Sequence, residues 1–290
     1  MKKAVVFWVE EYFYDPRPLQ KLLAFLFLPL SWIYCFVMYI RFKLQKPHDF
    51  GIHVVSVGNL TVGGSGKTPL VTALAQKEAK PAIILRGYGR DSQGMIVVKD
   101  SGKILCDVKQ SGDEAMIYAK KLSDATVIVS EDRKIAIQKA KELGCQIVFL
   151  DDAYSKHNIK KEDILIDVVT KNNFCLPSGP YRERLWHEKK GVKVLREDID
   201  FTREVQVVDA KEKMSLVTAI ARPQRLDKYL PNNIIAKHYF ADHHSYTKEE
   251  LVAILEKDGA DSLLVTFKDY VKIEAFGLPL SLLDLEIKIY

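Results

Sequence analysis

Residues 53–76 read HVVSVGNLTVGGSGKTPLVTALAQ, and this stretch decides the fold. The β-branched run at 53–59 predicts a short strand, and the segment from Pro69 to Lys80 predicts a helix. Between them, closely spaced glycines let the backbone turn tightly and approach an anion, at which the N-terminal end of the helix also points. A strand, a glycine-rich loop and a helix in this order predict an α/β fold with a parallel sheet and a phosphate-binding loop.

The loop supplies candidate ligands for a nucleotide. Lys67 can reach the β and γ phosphates, and the Thr68 hydroxyl suits Mg²⁺. The strict pattern has glycine at the position of Thr61, so a chance match is the alternative, but the flanking strand and helix argue against it. The candidate nucleotide-binding residues are Thr61, Val62, Gly63, Gly64, Ser65, Gly66, Lys67 and Thr68.

A pair of carboxylates follows a second buried strand. Residues 145–150, CQIVFL, predict this strand, and Asp151 and Asp152 come directly after it. Adjacent carboxylates are costly there unless a cation or hydrogen bonds neutralise them, and a phosphate-loop enzyme needs a carboxylate for Mg²⁺. The pair is therefore a candidate metal site, with a helix cap or an ordinary loop as the alternative.

Further polar clusters lie in segments that favour turns: RGYGR (86–90), SGDE (111–114), LPSGPYRER (176–184) and ADHHSYT (241–247). RGYGR follows a strand predicted at 82–85, and its two guanidinium groups suit a phosphate or a polar headgroup. Asp113 opens an amphipathic helix and could serve only as its N-cap. The histidine pair precedes a helix predicted to begin near Lys248, where it could be an ordinary surface feature.

Composition excludes several classes of protein. The 290 residues are 48% hydrophobic and 28% charged, which is typical of a globular chain and excludes a disordered or fibrous one. The formal net charge of +5 is too small for a nucleic-acid-binding stripe but suits phosphates or a membrane surface. The four cysteines lie far apart without a Cys-x-x-Cys pair, so we expect reduced thiols and no zinc site.

An uncharged apolar run lies near the start of the chain. Residues 22–40, LLAFLFLPLSWIYCFVMYI, could span about 28 Å as a helix, close to the thickness of a bilayer's hydrocarbon core. Pro29 lies within the run and should kink or break that helix. The run begins late and lacks a small-residue cleavage site, so a secretory signal is a poor interpretation. A single span, a buried core helix and an interfacial helix remain, and we favour the interfacial one.

Taken together, the motifs resemble a known family. VSVGNLTVGGSGKTP, RGYGR, SGDE, FLDDAY, LPSGPYRE, DHHSYT and TFKDYVK occur in the same order as in tetraacyldisaccharide 4′-kinase, the lipid A kinase of Gram-negative bacteria. The resemblance extends from the apolar run to Lys272. It implies a P-loop NTPase-type parallel sheet with an N-terminal membrane-associated helix, a smaller C-terminal α/β domain and a two-stranded linker. We expect the segments to be 1–46, 47–209 and 210–290.

The resemblance also implies an activity and its partners. ATP would phosphorylate the 4′-hydroxyl of a tetraacylated glucosamine disaccharide 1-phosphate, giving lipid IVA, with Mg²⁺ as the cofactor. The N-terminal segment would dock on the cytoplasmic face of the inner membrane as a peripheral or monotopic element. We expect no nucleic-acid partner.

Residue roles follow from matching the family's motifs. Asp113 resembles the catalytic base, and His243 resembles the residue that orients or tunes it. Asp151 and Asp152 match an aspartate pair near Mg²⁺. The expected metal residues are Thr68, Asp151, Asp152 and Glu183, and the expected residues for substrate or transition-state charge are Arg86, Arg90, Arg133 and Arg182.

Two departures from the family pattern leave questions open. Ser155 and Lys156 stand where the family has Gln and His, and Phe267 replaces an acidic residue. A kinase acting on another lipid or a nucleotide is one alternative. A membrane-associated switch ATPase or GTPase is another, because residues 266–269, TFKD, resemble a guanine-reading motif after a predicted strand.

Overall fold

The computed structural model describes residues 2–63, 65–220, 223–242 and 244–290. Its strands form two sheets flanked by helices, so the predicted α/β class is confirmed. The helices are α1 (Lys2–Tyr14), α2 (Pro18–Leu26), α3 (Leu28–Leu44), α4 (Lys67–Ala75), α5 (Val108–Ser111), α6 (Asp113–Lys121), α7 (Arg133–Glu142), α8 (Lys248–Asp258) and α9 (Phe267–Ile273). Short 3₁₀ helices cover Pro223–Tyr229 and Glu274–Phe276.

The larger sheet has eight strands in the order β4-β3-β5-β2-β6-β1-β7-β8. They are β1 (His53–Gly58), β2 (Pro81–Leu85), β3 (Ile96–Asp100), β4 (Lys103–Ile104), β5 (Thr126–Val129), β6 (Ile147–Asp151), β7 (Glu162–Ile166) and β8 (Val192–Leu195). All neighbours pair in parallel except β3 with β5 and β3 with β4. Strands β2 and β6 are buried along their whole length, as expected for parallel strands covered on both faces.

The smaller sheet has five strands in the order β11-β10-β12-β13-β9. They are β9 (Phe201–Val208), β10 (Met214–Thr218), β11 (Ile234–Tyr239), β12 (Ser262–Thr266) and β13 (Leu280–Ile289). Strand β9 pairs antiparallel with β13, and both strands contact the larger unit, since Phe201 and Ile287 belong to its hydrophobic core. A division at residue 209 would assign β9 to the kinase domain, whereas its hydrogen bonds lie in the smaller sheet. The domain bounds as folding units stay a prediction.

The apolar N-terminal run forms two helices instead of one. Helix α2 ends at Leu26, and α3 begins at Leu28 with Pro29 in its first turn, where a missing N–H costs nothing. The expected break at this proline is therefore confirmed, and the helices meet at a bend of 58°. Among the described residues, no single helix is long and apolar enough to cross a membrane. The two helices of this bent pair are together long and apolar enough to do so.

One face of the bent pair packs on the protein, and the other is exposed. Ser31 is buried, and its hydroxyl donates a hydrogen bond of 2.9 Å to the Cys175 carbonyl and lies 2.7 Å from the Ser178 hydroxyl. On the opposite face, Phe25, Trp32 and Phe36 each expose more than 60% of their surface. This pattern disagrees with a fully buried core helix.

The expectation that all four cysteines are reduced is wrong for one pair. Cys35 of α3 and Cys175 form a disulfide, although 140 positions separate them in sequence. The cause is tertiary, because α3 packs on the segment that contains Cys175, and cysteine spacing carries no information about that contact. Cys106 and Cys145 are free thiols, as expected.

Candidate active site

The phosphate loop connects the end of β1 to the start of α4. Gly66 has a φ of 71°, in the left-handed region that favours glycine, and a Cβ atom there would have to displace the guanidinium group of Arg203. Thr61 is buried at the position where the strict pattern has glycine, and its carbonyl accepts a hydrogen bond of 2.9 Å from the Asn59 amide. Gly64 lies outside the described residues. The helix begins at Lys67, two residues before the predicted start, and ends at Ala75.

Lys67 is tied to polar groups on the rim of this loop. Its Nζ donates a hydrogen bond of 3.2 Å to Oδ1 of Asn59 and lies 3.7 Å from Oδ1 of Asp152. Arg182 donates to the same two side chains, Asn59 and Asp152. A lysine and an arginine therefore converge on one asparagine and one carboxylate beside the phosphate loop.

The two predicted aspartates have different environments. Asp151 is the last residue of β6, is 4% exposed, and accepts a hydrogen bond of 2.8 Å from the Tyr118 hydroxyl. Burial, reinforced by the charge of Glu114, raises the pKa of Asp151 to about 7. Burial also acts to raise the pKa of Asp152, but the charges of Lys67 and Arg182 outweigh it and hold that pKa below its usual range.

Two buried carboxylate oxygens in this region accept no hydrogen bond from the protein, although one of them, on Glu183, lies 3.8 Å from Nε2 of His157. They are Oδ1 of Asp151 and Oε2 of Glu183, the latter in a residue that is 4% exposed. No group of three or more His, Cys, Asp or Glu side chains in the described part of the chain is spaced to hold a metal by itself. Mg²⁺ commonly uses one or two carboxylates together with substrate phosphates, so these oxygens and the Thr68 hydroxyl fit that ion.

The predicted arginines divide into different environments. Arg133 is 5% exposed and lies in the electrostatic field of Asp151 and Asp152, although burial lowers its pKa overall. Arg86 is exposed. Arg90 is held by nearby groups: its guanidinium donates to the Gly94 carbonyl and forms an ion pair with Glu131. A role for Arg90 in binding substrate stays a prediction.

Asp113 is the first residue of α6 and does not cap it, because the N-cap position is Gly112. Its Oδ2 lies 3.0 Å from Nζ of Lys272, a residue of α9. The same Nζ donates a hydrogen bond of 3.3 Å to the His244 carbonyl. Lys272 thus joins Asp113 to the segment that follows His243 in sequence, while His243 itself lies outside the described residues.

Several residues of this region were not predicted from the sequence. Asn59 and Lys272 stand inside motifs that carry the family resemblance, so their position was a usable signal even though their contacts were not. Tyr118 and Arg203 had no local signal, because Tyr118 reads as a core aromatic residue. Arg203 comes from β9, and its Nη2 donates a hydrogen bond of 3.0 Å to the Ser65 carbonyl of the phosphate loop.

The sequence matches a known protein family over almost its whole length. A sequence model described as "Tetraacyldisaccharide-1-P 4'-kinase" (LpxK) matches residues 23–206 and 197–289. The chain belongs to the tetraacyldisaccharide 4′-kinase family. The resemblance inferred from the ordered motifs is thereby confirmed.

Relatives named tetraacyldisaccharide 4'-kinase match almost the whole chain. The protein from Aliarcobacter butzleri is 48% identical, with 100% of this chain and 95% of the relative covered. The protein from Campylobacter jejuni (serotype O:2) is 46% identical, and that from Helicobacter pylori J99 is 45% identical, each covering 97% of this chain. These matches cover 92% and 91% of the respective relatives.

A solved structure supports the fold of this family in the chain. It is the "apo" form of LpxK from Aquifex aeolicus in complex with ATP, with a TM-score of 0.75 and 25% identity. The similarity covers 92% of this chain and 95% of that one. The P-loop NTPase-type fold expected from the sequence agrees with this likeness.

The segment that suggested a guanine-reading motif has another use. Asp269 is fully buried, and its carboxylate accepts hydrogen bonds from the hydroxyls of Thr218, Tyr246 and Thr266. A guanine-reading carboxylate must face the base, whereas these contacts bury Asp269 among residues at the end of the smaller sheet. These contacts therefore disfavour a guanine-binding role for residues 266–269 and, with it, the switch GTPase.

Proposed function

We propose that this chain is an ATP-dependent kinase that phosphorylates the 4′-hydroxyl of a tetraacylated glucosamine disaccharide 1-phosphate, giving lipid IVA. The observation that carries the proposal is the convergence of Lys67 and Arg182 on Asp152 beside the phosphate loop. Phosphoryl transfer depends chiefly on positioning and on neutralising charge, which this arrangement of cations provides. Family membership supports the same acceptor, because the family is named for a tetraacyldisaccharide 1-phosphate.

Asp113 is the proposed proton acceptor for the attacking hydroxyl. It lies at the start of α6, and its ion pair with Lys272 fixes the carboxylate against the smaller unit. His243 is proposed to orient this carboxylate, on the strength of its family motif. A positioned general base of this kind contributes about 100-fold to 10,000-fold in rate.

Thr68, Asp151, Asp152 and Glu183 are proposed to hold Mg²⁺ together with the nucleotide. One oxygen of Asp151 and one of Glu183 are buried and accept no hydrogen bond from the protein, which supports this assignment. When bound, the ion neutralises charge on the phosphate oxygens. Lys67, Arg133 and Arg182 would offset the charge that remains on the transferring group, as Arg86 and Arg90 are also expected to do from their motif.

The exposed face of α2 and α3 is proposed to rest on the cytoplasmic surface of the inner membrane. Phe25, Trp32 and Phe36 form its apolar part, and Arg41 and Lys43 follow at the end of α3. Such a face suits an interfacial helix pair beside an acylated acceptor. Replacing Trp32 and Phe36 by Glu should abolish sedimentation with phospholipid vesicles while ATP binding is retained, and unchanged sedimentation would contradict the proposal.

Transfer of label from [γ-³²P]ATP tests the function directly. In detergent micelles with the tetraacylated disaccharide 1-phosphate, we expect labelled lipid whose new phosphate is on the 4′-hydroxyl. A switch ATPase or GTPase would instead release inorganic phosphate at a rate that does not depend on the acceptor. Acceptor-independent release, or equal use of GTP with no labelled lipid, would therefore reject the kinase in favour of the switch.

A further inference from the structure

The phosphate loop is held by residues of both sheets' units. Its first half is anchored within the larger unit, where the Val62 N–H donates a hydrogen bond of 2.9 Å to the Pro180 carbonyl. Its second half is anchored from the smaller sheet, because Nη2 of Arg203 in β9 donates a hydrogen bond of 3.0 Å to the Ser65 carbonyl. A side chain of the smaller sheet thus contacts the part of the loop that comes just before Lys67.

The position of Arg203 follows from the sequence and packing of β9. Phe201 and Arg203 are two positions apart, so their side chains lie on the same face of the strand. Phe201 is fully buried in the hydrophobic core of the larger unit, and Cζ of Arg203 lies 5.9 Å from the centre of its ring. Glu197 also holds the guanidinium, since its Oε2 lies 3.1 Å from Nε of Arg203. The Arg203 side chain is 17% exposed, so packing as well as charge fixes it against the loop.

The hydrogen bond to Ser65 determines the orientation of one peptide group in the loop. In a trans peptide, the C=O and the N–H that follows it point in opposite directions. With the Ser65 carbonyl bound to Arg203, the Gly66 N–H therefore points away from the guanidinium. The N–H groups of such a loop cradle the α and β phosphates of a nucleotide. Arg203 thus fixes the direction of an N–H group that a nucleotide phosphate would use.

The loop does not fix this orientation by itself. Gly66 has a φ of 71°, and glycine populates positive and negative φ about equally, so rotation of this peptide meets little steric resistance. The Ser65 hydroxyl is buried and makes no hydrogen bond within the described part of the chain. The side chain of Ser65 therefore does not restrain the peptide, whereas Arg203 does.

We propose that Arg203 is a positioning residue that holds the phosphate loop in the orientation that binds ATP. The inference rests on the proposed function, because it requires that this loop binds the nucleotide. Arg203 would act on nucleotide affinity through the loop backbone and not on the phosphoryl group that is transferred. Without it, only a fraction of the molecules would present the Gly66 N–H correctly, and the apparent dissociation constant would rise in inverse proportion to that fraction.

Arg203→Met tests this role, because methionine keeps an unbranched apolar side chain beside Phe201 but cannot donate to the Ser65 carbonyl. We expect the dissociation constants of ADP and of a non-hydrolysable ATP analogue, measured by calorimetry in Mg²⁺, to rise by the same factor of at least about 10. In the labelling assay the KM for ATP should rise likewise, with kcat at saturating ATP and the KM for the acceptor lipid unchanged. Arg203→Lys, which keeps the charge and a donor, should recover much of the affinity.

A second variant and a control lie just before β9. Glu197→Gln removes the charge that holds the guanidinium, so it should raise both dissociation constants by a smaller common factor, and it decides the matter if Arg203→Met does not fold. Arg196→Gln is the control, because Arg196 is exposed and lies 3.5 Å from Asp167. It should change neither constant. Melting curves without nucleotide separate a loss of affinity from a loss of folded protein.

Other outcomes would overturn the proposal. Unchanged dissociation constants in folded Arg203→Met, or in Glu197→Gln if the former does not fold, would make Arg203 a purely structural contact. A loss of affinity for the ATP analogue that spares ADP, or a lower kcat, would assign the guanidinium to the γ-phosphate instead of the loop. Wild-type protein that binds neither nucleotide would reject the nucleotide site and this proposal together. Wild-type protein that binds both nucleotides but labels no lipid would reject only the proposed acceptor, and the two dissociation constants would still decide the role of Arg203.

Discussion

Two buried aspartates lie at or just after the ends of parallel strands in this molecule, and their surroundings differ sharply. Asp269, after β12 of the smaller sheet, accepts from three hydroxyl groups and from the Ala219 N–H. Asp151, at the end of β6 in the larger sheet, accepts from Tyr118, and its Oδ1 has no partner. Both side chains are almost fully buried, so exposure does not distinguish them.

The difference separates a carboxylate with several hydrogen-bond donors from one that has an oxygen without a donor. A buried carboxylate surrounded by donors is stable as an anion, whereas one with an unpartnered oxygen is costly until a proton or a cation reaches it. The elevated pKa of Asp151 expresses that cost. By this criterion the end of the larger sheet is the candidate functional site, whereas Asp269 stabilises the packing of Tyr246 and Thr266 in the smaller unit.

Removing the phosphate-loop cation should have the largest effect on the larger sheet's site. Lys67→Ala is expected to lower kcat for phosphoryl transfer at least about 1,000-fold, because the charge that faces the nucleotide is lost. Radiolabelled transfer by purified, folded protein provides the measurement. Lys77→Ala, an exposed lysine just after α4, is the control, and wild-type turnover by Lys67→Ala would reject the nucleotide site.

A double-mutant cycle tests whether Asp113 and His243 act together. Asp113→Asn and His243→Ala should each reduce kcat about 100-fold with little change in ATP affinity, since a general base acts on the acceptor hydroxyl. The double variant should be scarcely worse than the more damaging single one, because residues that act as a unit are non-additive. Losses that simply add would defeat the pair while sparing the kinase assignment.

Asp269, whose carboxylate accepts four hydrogen bonds, should matter for the stability of the fold and not for phosphoryl transfer. Asp269→Ala leaves three buried hydroxyls and one N–H without their acceptor, so we expect a loss of about 2–5 kcal/mol in the free energy of unfolding. Urea denaturation provides the measurement. Asp261→Ala, which removes an exposed carboxylate of the same sheet region, should cost less than about 1 kcal/mol. Equal losses in the free energy of unfolding for the two variants would show that the buried hydrogen bonds of Asp269 do not stabilise the fold.

Asp151 and Asp152 should make the free energy of unfolding depend on pH in opposite directions. Because the pKa of Asp151 is raised in the folded state, its contribution to stability is present at low pH and is lost as pH rises from about 4 to about 7. The pKa of Asp152 is lowered, so its contribution is present at neutral pH and is lost on acidification. In metal-free buffer, Asp151→Asn should thus be stabilising at pH 7, by an amount on the order of a few kcal/mol, and Asp152→Asn destabilising. Unfolding curves between pH 4 and pH 8 would contradict this account if both variants shifted in the same direction.

The same contrast explains what sequence could and could not predict. The phosphate loop, the strand that ends at Asp151 and the break near Pro29 depend on neighbours in the chain, and periodicity, glycine spacing and proline geometry reveal such features. The degree to which each aspartate is hydrogen-bonded depends on residues far away in sequence. Tyr118 reaches Asp151 from α6, and Thr218 reaches Asp269 from β10.

Contacts between distant segments account for the other misses. Lys272 approaches Asp113 only because α9 packs beside α6, and the Cys35–Cys175 bond forms only because α3 packs on the segment before Arg182. Arg203 reaches the phosphate loop from β9, which pairs in the other sheet. The ordered motifs nevertheless identified the family, and two of them contain Asp113 and Lys272, whereas Arg203 and the two cysteines lie outside all of them.

The most direct test of the central claim is the Mg²⁺-dependent stabilisation of the protein by a non-hydrolysable ATP analogue. The melting temperature is measured with the analogue in Mg²⁺ and in EDTA, for the wild type and for Asp151→Asn, Asp152→Asn and Asp269→Asn. A ligand that binds the folded state raises its melting temperature by mass action. We predict that Asp269→Asn melts lower than the wild type but keeps the Mg²⁺-dependent rise, whereas Asp151→Asn and Asp152→Asn lose it. A rise that persists in both of those variants, or disappears in Asp269→Asn, would contradict the assignment of the larger sheet's end as the nucleotide and metal site.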